Sequence, residues 1–375
     1  MSYYIATSYA KFFILILVIS LFFDAFQDIK GKKKLFYIIT VCSIFFVTMG
    51  YRHYGMGNDT PSYYMMFLRV ANTTSVSKYI EASSMEPGYV WYNYLLSLIS
   101  ENPRILFVVT AAIVSFSVGF FVYRNVSNPG VFFCMMVGLL RFDFLLSAMR
   151  QAMATICLLF AVDAIIRKRR LLFVLMCLIG AQFHNAAWAM LVALPLLWNN
   201  EKEQKDGNFF IYVVIFAVVV ICSVFFESVW NRLLVFFPKY DYYTGSSLAD
   251  GEPRLAIFLK IIVYMVLFFV PKLYAHNHAE NKSLYNVGEK TSIIHIGMYI
   301  IAASATAIAR VAAVFSFFAI AHFSNTFKDN ISSEKLTLLL LLLVGLFFYG
   351  LVIVVLKTPE WQTTYPMILQ FESIF

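Results

Sequence analysis

The chain has 375 residues, of which 61% are apolar, 18% aromatic and only 13% charged. Soluble domains carry roughly 25% charged and about 45–50% apolar residues, so a chain of this composition cannot form a soluble surface. The composition predicts a polytopic membrane protein and excludes nucleic-acid-binding proteins, secreted disulfide scaffolds and soluble enzymes. In a membrane protein the net charge of +8 orients helices, and by itself it is not evidence for an anionic partner.

Long apolar runs predict the membrane helices, because about 20 apolar residues are needed to cross a bilayer. We predict an all-α integral membrane protein that forms a single polytopic domain over residues 1–375, with about 12 transmembrane helices. The predicted spans are residues 5 to 23, 35 to 50, 104 to 123, 131 to 147, 150 to 166, 171 to 183, 185 to 198, 209 to 226, 255 to 271, 291 to 309, 311 to 327 and 336 to 356. Residues 171–198 are predicted to form either one long helix or a hairpin that turns at residues 182–185. We adopt the hairpin for the predicted topology.

A shorter apolar run at residues 88–100 is rich in Tyr and Trp. Counting it as a crossing would move the basic residues 167–170 to the outer face, against the preference of Lys and Arg for cytoplasmic loops. We therefore predict an interfacial or re-entrant helix near 88–100. This topology leaves two long outer loops, residues 51–103 and 227–254, where functional residues are expected to concentrate.

The basic residues on the two predicted faces differ in kind. The cytoplasmic loops carry mostly lysine, whereas the outer face carries mostly arginine, namely Arg52, Arg69, Arg104, Arg141, Arg150, Arg232, Arg254 and Arg310. Arginine binds phosphate through two parallel hydrogen bonds, so this asymmetry suggests an anionic ligand outside. The alternative is a chance distribution combined with side chains that reach to the membrane surface.

The first outer loop begins with the segment YRHYGMGNDTPSYYMMF, residues 51–67. Arg52 lies where an apolar helix meets the outer interface. It is followed by a possible base, His53, and by a carboxylate, Asp59, among glycines that permit tight turns. Because Asp59 precedes Thr60 and Pro61, capping of a helix N-terminus is as good an interpretation of Asp59 as catalysis.

This segment resembles the signature of the EpsG-type family of Wzy-like polymerases, which act in the synthesis of bacterial O-antigen, capsule and exopolysaccharide. Three further motifs follow in the family's order: Glu86-Pro87-Gly88-Tyr89, Met149-Arg150-Gln151 and Phe183-His184-Asn185. The resemblance covers residues 35–200 well, and beyond them it is confined to Arg310 and the polytopic pattern. It departs from the family at Asn58, where a smaller residue is more usual.

The resemblance implies a GT-C-like glycosyltransferase in the bacterial inner membrane with its active site facing the periplasm. Such a polymerase transfers a glycan from undecaprenyl diphosphate to a hydroxyl of the next lipid-linked repeat unit. Arg52, Arg150 and Arg310 would stabilise the departing diphosphate without a metal or other cofactor. The implied partners are these lipid-linked oligosaccharides, membrane lipids and a chain-length regulator protein, with no nucleic acid.

A general base must accept the proton of the attacking hydroxyl. His184 is the leading candidate, Asp59 and Glu86 are alternatives, and His53 is an accessory. A structural hydrogen bond is the competing interpretation of His184, and anchoring of hairpin tips is that of Arg150 and Arg310.

The second outer loop contains Tyr240, Asp241 and Tyr242, which suit sugar binding because rings stack on sugar C–H faces and carboxylates accept from hydroxyls. An interfacial aromatic belt explains the same tyrosines equally well. No HExxH or DxD pattern occurs, so no metal site is predicted.

Two other functions remain open at this point. A lipid-linked oligosaccharide flippase or other transporter would be expected to show repeated halves or charges at mid-membrane, whereas the charges here gather at one face. An O-antigen ligase-like transferase, which moves the glycan to a different acceptor, shares nearly all of the expected chemistry.

Overall fold

The computed structural model describes residues 2–198, 207–236, 241, 255–274, 282–303, 308–327, 333–357 and 364–372. Its regular secondary structure is helical, and the described residues add one isolated antiparallel bridge between Arg52 and Leu369. The α-helices are α1 (Ser2–Phe22), α2 (Gly31–Gly50), α3 (Thr60–Ala71), α4 (Val76–Ala82), α5 (Pro87–Ser97), α6 (Arg104–Asn125), α7 (Pro129–Gly138), α8 (Arg141–Ser147), α9 (Met149–Ile166), α10 (Arg170–Phe183), α11 (Trp188–Val192), α12 (Leu194–Leu197), α13 (Gly207–Val224), α14 (Phe226–Phe236), α15 (Leu255–Tyr274), α16 (Lys282–Ala302), α17 (Ile308–Ala313), α18 (Ser316–Ser324) and α19 (Ser333–Lys357).

The apolar helices make the chain an all-α membrane protein, but with fewer crossings than expected. Within the described ranges, 5 helices are long and apolar enough to span a bilayer, and the number rises to 6 if a bent pair is counted as one span. The five are Tyr3–Phe22, Gly31–Gly50, Arg104–Asn125, Met149–Ile166 and Leu336–Leu356. The expectation of twelve crossings in a GT-C-like arrangement is therefore corrected to five or six for this part of the chain.

The correction has a physical reason in the continuity of the helices. The predicted span 171 to 183 is the 14-residue helix α10, which is too short to cross the bilayer alone. The predicted span 185 to 198 is interrupted, because a 3₁₀ turn at Asn185–Ala187 precedes the short helices α11 and α12. Composition detects an apolar run, but it does not show whether one unbroken helix occupies it.

The bent pair is α7 and α8, which the sequence predicted as one span over 131 to 147. The two helices meet at an angle of 64°. Leu140 at the break has a φ of 56°, a left-handed conformation that non-glycine residues seldom adopt. Arg141 and Asp143 follow the break directly, but the apolar residues around them keep the run 131 to 147 apolar overall, so hydropathy does not reveal the break.

Contacts divide the chain into two compact units, which are described separately. The first comprises Met1–Asp163, Phe173–Asn185 and Phe327–Phe375, and the second comprises Ala164–Leu172 and Ala186–Thr326.

The first unit is built around helices that approach each other closely at glycines. A Cβ atom at Gly50 of α2 would lie 3.4 Å from the Ala111 Cβ of α6, and a Cβ at Gly119 of α6 would lie 3.0 Å from the Cys42 sulfur of α2. Small residues let membrane helices pack backbone to backbone, so dispersion contacts hold this pair together. In the same unit α1, α7 and α19 form a second packed group.

The first predicted outer loop folds into α3, α4 and α5. Their buried side chains form one apolar cluster with the beginning of α6 and with Met149 of α9. The helix expected near 88–100 is present as Pro87–Ser97, and its place at the membrane interface stays a prediction. In the second predicted loop, α14 extends to Phe236, and most of the remaining loop residues lie outside the described ranges.

In the second unit, α16 packs against α13, α15, α17 and α18. His295 of α16 is buried, with its Nδ1 2.7 Å from the carbonyl oxygen of Ala312. Its ring lies edge-on to Tyr264 at 4.1 Å and to Tyr299 at 4.8 Å between centroids. The His295 ring is thus held by a backbone carbonyl group and by two aromatic neighbours.

Two glycines of α19 provide a test of the α1, α7 and α19 packing. A Cβ at Gly350 would clash with the Tyr9 hydroxyl and lie 2.8 Å from the Gly138 carbonyl oxygen, whereas a Cβ at Gly345 meets nothing within 4 Å. We expect Gly350→Ala to destabilise the protein by about 1–3 kcal/mol through overpacking. Gly345→Ala should be neutral or stabilising by up to about 1 kcal/mol, because Ala favours the helix. Thermal unfolding in detergent measures both, and equal midpoints would contradict this packing.

Candidate functional site

Arg52 follows the end of α2 and folds its side chain back into the protein, where only 1% of the residue is exposed. Its Nη1 donates to the Met49 carbonyl oxygen at 2.5 Å, and its Cζ lies 4.6 Å from the centre of the Phe107 ring. Its Nε and Nη2 are buried and have no hydrogen-bond partner. Leaving a buried donor unpaired costs about 1–3 kcal/mol, so this guanidinium is suited to receive an additional acceptor.

Burial lowers the pKa of the Arg52 guanidinium to about 9. The neighbouring cation Arg104 lowers it further. A pKa in this range leaves Arg52 positively charged at neutral pH. The residue therefore presents a buried positive charge with free donors.

Arg104, at the start of α6, is fully buried beside Arg52. Its Nη1 donates to the carbonyl oxygens of Arg52 at 2.7 Å and Gly50 at 3.3 Å. Its Nη2 donates to Glu372 Oε2 at 3.3 Å, and its Cζ lies 4.3 Å from the centre of the Tyr54 ring. Arg104 is thus hydrogen-bonded to the backbone of the turn that contains Arg52.

Residues 364–372 lie against this turn from the other side. The His53 amide donates to the Ile368 carbonyl oxygen at 2.8 Å, and the Gln370 amide donates to the Tyr51 carbonyl oxygen at 2.6 Å. Tyr54 donates from its hydroxyl to Glu372 Oε2 at 2.9 Å. The backbone on both sides of Arg52 is therefore fixed by main-chain hydrogen bonds.

Arg150 and Glu86 form a largely buried ion pair. Arg150 lies in the first turn of α9 and Glu86 immediately before α5, and the Arg150 Nη1 is 2.8 Å from Glu86 Oε2. The exposed fractions of the two side chains are 24% and 3%. Arg150 Nε is buried without a partner, so this arginine also retains an unused donor.

Two tyrosines connect the two arginines. Tyr63 and Tyr89 belong to one buried cluster with Phe107, whose ring Arg52 contacts, and with Met149, the residue before Arg150. Burial raises the pKa of both phenols, so they remain neutral hydroxyls at physiological pH. Their rings contact each other edge to face at 5.6 Å. Arg52 and Arg150 therefore belong to one neighbourhood.

The glycine-rich turn brings Asp59 towards the same region. Gly57 has a φ of +89°, and a Cβ there would lie 3.1 Å from Ser147 Cα, three residues before Arg150. Asp59 is half-buried, and its side chain makes no capping hydrogen bond to α3. The capping interpretation of Asp59 is therefore wrong, and its carboxylate is not committed to the helix terminus.

His184 follows the end of α10, where the chain packs against the start of α5. A Cβ at Gly88 would lie 2.6 Å from Gln182 Cβ and 2.8 Å from the Gln182 carbonyl oxygen, so only glycine allows this approach. Phe183 contacts the Tyr92 ring at 6.1 Å between centroids. His184 itself is half-buried. The residues next to Glu86 and His184 are thus in contact, which brings the two motifs together.

The sequence model of the EpsG family matches residues 34–369, nearly the whole chain. The chain belongs to the EpsG family. No curated protein and no solved structure matches it. The match confirms the resemblance seen in the motifs and extends it well beyond residue 200.

In this EpsG-family chain the structure groups some of the predicted site residues and not others. Arg52, Asp59, Glu86, Arg150 and His184 all lie in the first unit. His53 is exposed on the same turn, where its Nδ1 accepts from the Gly55 amide at 3.0 Å. The catalytic and binding roles of all these residues stay predictions.

Arg310 and Asp241 lie in the second unit, and both are exposed. Arg310 is part of the short helix α17. Tyr240 and Tyr242 fall outside the described residues. In the ranges that the structure covers, no group of three or more His, Cys, Asp or Glu side chains is placed to hold a metal.

Sequence reasoning missed Arg104, Tyr63, Tyr89 and Glu372 as members of the site. Arg104 stood out only as one of several outer arginines, and nothing in its sequence neighbourhood indicated that it reaches the Arg52 turn. Tyr63 and Tyr89 lay inside the two quoted motifs, so position within a motif was a usable signal for them. No local signal was available for Glu372.

A double-mutant cycle tests the ion pair of the EpsG-family site. Removing either Glu86 or Arg150 leaves the other charge largely buried, so we expect a coupling free energy of about 1–3 kcal/mol from Glu86→Ala, Arg150→Ala and the double variant. Unfolding free energies in detergent give the cycle. The exposed pair Lys33 and Asp24, 2.6 Å apart, is the control and should couple by less than about 1 kcal/mol. Equal couplings would contradict the burial of the Glu86 pair.

Proposed function

We propose that this protein is a polysaccharide polymerase of the Wzy type. In this proposal it joins undecaprenyl-diphosphate-linked repeat units of an O-antigen, capsule or exopolysaccharide at the periplasmic face of the inner membrane. The observation that carries the proposal is the buried Arg52, charged and with two unused donors, in one neighbourhood with the Arg150–Glu86 pair. These residues belong to the motifs of the EpsG family, whose model matches the chain.

The proposed reaction forms a bond between the attacking hydroxyl oxygen of the acceptor sugar and the anomeric carbon of the donor glycan. The bond from that carbon to the diphosphate oxygen breaks, and the electron pair leaves with the lipid diphosphate. Negative charge therefore develops on the leaving oxygens. Fixed donors in a dry site stabilise such charge strongly, and Arg52 Nε and Nη2 and Arg150 Nε are the donors available.

The proton of the attacking hydroxyl passes to a general base, which we assign to His184, with Asp59 as the alternative. Glu86 is less suited to this task, because Arg150 engages its Oε2 at 2.8 Å. We assign Glu86 instead to the orientation of Arg150. The transfer is proposed to proceed without a metal or other cofactor, on lipid-linked oligosaccharides, with a chain-length regulator as a further partner. Arg310 in the diphosphate site and Tyr240, Asp241 and Tyr242 in sugar binding remain parts of the proposal.

Deletion of the gene tests the function. A strain without the polymerase should lose long glycan chains and retain a single repeat unit on its carrier or acceptor, because synthesis and transfer of one unit need no extension. Electrophoresis of the surface glycan measures the chain length, and the plasmid-borne gene should restore it. Loss of all surface glycan would instead favour the flippase or the ligase, and unchanged long chains would contradict both the polymerase and these alternatives.

Substitution of the arginines tests the diphosphate role. Arg52→Lys and Arg150→Lys keep the charge but lose the planar fork, so we expect polymer formation to fall by about 10²–10³-fold at unchanged protein levels. The assay uses purified protein and lipid-linked repeat units in the presence of EDTA. Arg69→Lys is the control, because Arg69 is exposed at the end of α3. Normal long-chain polymer from the Arg52 and Arg150 variants would refute the role, and a strict divalent-metal requirement would refute the metal-free transfer.

A further inference from the structure

Arg104 is buried where a charged side chain is costly, at the apolar start of α6. A buried charge without compensating partners costs several kcal/mol. Its two terminal nitrogens are both used within the protein, on the carbonyl oxygens of Gly50 and Arg52 and on the carboxylate of Glu372. Only its Nε is left without a hydrogen-bond partner, whereas Arg52 has two such donors, so Arg104 has less capacity than Arg52 to bind a ligand.

The acceptors of Arg104 define what it does. The last carbonyl groups of a helix have no intrahelical partner, and Gly50 is the last residue of α2. By donating to the Gly50 and Arg52 carbonyl oxygens, Arg104 closes the end of α2 and holds the turn in which Arg52 folds back onto Met49.

Glu372 connects Arg104 to the opposite side of the same turn. Its Oε2 accepts from both Arg104 and Tyr54, while the neighbouring residues 368–370 pair with the backbone of Tyr51 and His53. Gln370 donates from its side chain to Glu372 Oε1, which orients the carboxylate. The Arg52 turn is thus held between Arg104 and the segment 364–372, and Glu372 joins the two.

Nearby like charges would drive Arg52 and Arg104 apart if nothing compensated them. Glu372 supplies one negative charge at 3.3 Å from Arg104, so one cation of the two is neutralised and the other is not. The cation without a carboxylate partner among the described residues is Arg52, which retains two unused donors, Nε and Nη2, against the single Nε of Arg104. The arrangement directs the excess positive charge to the residue that has donors available for a ligand.

We propose that Arg104, anchored by Glu372, is the positioning residue that holds the Arg52 guanidinium in place for the leaving diphosphate. This inference rests on the proposed function. It adds two residues to the site, one at the start of α6 and one in the segment 364–372, that act through Arg52 without contacting the substrate.

The test uses the full-length protein in nanodiscs with Arg104→Gln, Arg104→Lys, Glu372→Gln and the Arg104→Gln/Glu372→Gln double variant. A positioning role predicts that kcat for polymer formation falls about 10–100-fold in Arg104→Gln while KM changes by less than about 3-fold, because the loss falls on charge that develops in the transition state. Lysine should partly restore kcat, since it still reaches one carbonyl oxygen. The double variant should be no worse than Arg104→Gln, because Glu372 acts through Arg104.

Hydrogen exchange provides a readout that does not depend on activity. The amides of His53 and Gln370 should exchange faster in Arg104→Gln and in Glu372→Gln than in the wild type, because their hydrogen bonds flank the loosened turn. Arg124→Gln is the matched control, since Arg124 lies at the other end of α6 and pairs with Asp163 at 3.3 Å. It should leave both amides and kcat unchanged.

The outcomes separate the two proposals. The positioning role is overturned if the wild type is active and both Arg104→Gln and Glu372→Gln keep the wild-type kcat and the wild-type exchange rates. A fall in kcat without faster exchange at His53 and Gln370 overturns it as well. Faster exchange in a protein whose wild type forms no polymer overturns the proposed function and retains Arg104 as the residue that holds the turn. If Arg104→Gln fails to fold, Glu372→Gln alone decides, because it removes only one carboxylate charge from a side chain that is 35% exposed.

Discussion

Guanidinium groups buried at the ends of apolar helices must find their acceptors inside the protein, and the architecture around the candidate site follows from that need. Arg52 donates to a carbonyl oxygen of the helix before it, and Arg104 donates to two carbonyl oxygens at the same turn. Arg150 forms an ion pair with Glu86. The pairings of Arg104 and Arg150 require a distant part of the chain to lie close by, since an uncompensated buried charge costs several kcal/mol. The arrangement of the first unit near these arginines therefore follows largely from their pairing.

Two glycines allow the close backbone approach that this pairing requires. Gly57 lets the turn with Asp59 lie on Ser147, just before Arg150, and Gly88 lets the helix that follows Glu86 lie on the backbone of Gln182. A methyl group at either position would separate motifs that are far apart in sequence. The four family motifs are thus joined by close backbone approach as well as by charge.

Helix positions followed well from apolar runs, because burial in lipid leaves a long continuous signal. The predictions 104 to 123 and 150 to 166 correspond to Arg104–Asn125 and Met149–Ile166, and the family motifs indicated Arg52, Glu86 and Arg150. The break at Leu140 was not predicted, since the run 131 to 147 is apolar overall despite Arg141 and Asp143. The contact of Arg104 with Glu372 joins residues 268 positions apart, and no local pattern encodes such a pairing.

The segment 364–372 completes the site late in synthesis of the chain. Tyr54 and Glu372, which meet at the Arg52 turn, are 318 residues apart, so the ribosome must add nearly the whole chain before the turn gains its second support. At about 5–20 residues per second this interval is roughly 15–65 s. During it, Arg104 lacks its carboxylate partner and Arg52 lacks the flanking segment 364–372. The nascent protein is therefore inserted with its arginine turn unfinished, and that turn closes only once residues 364–372 have been made.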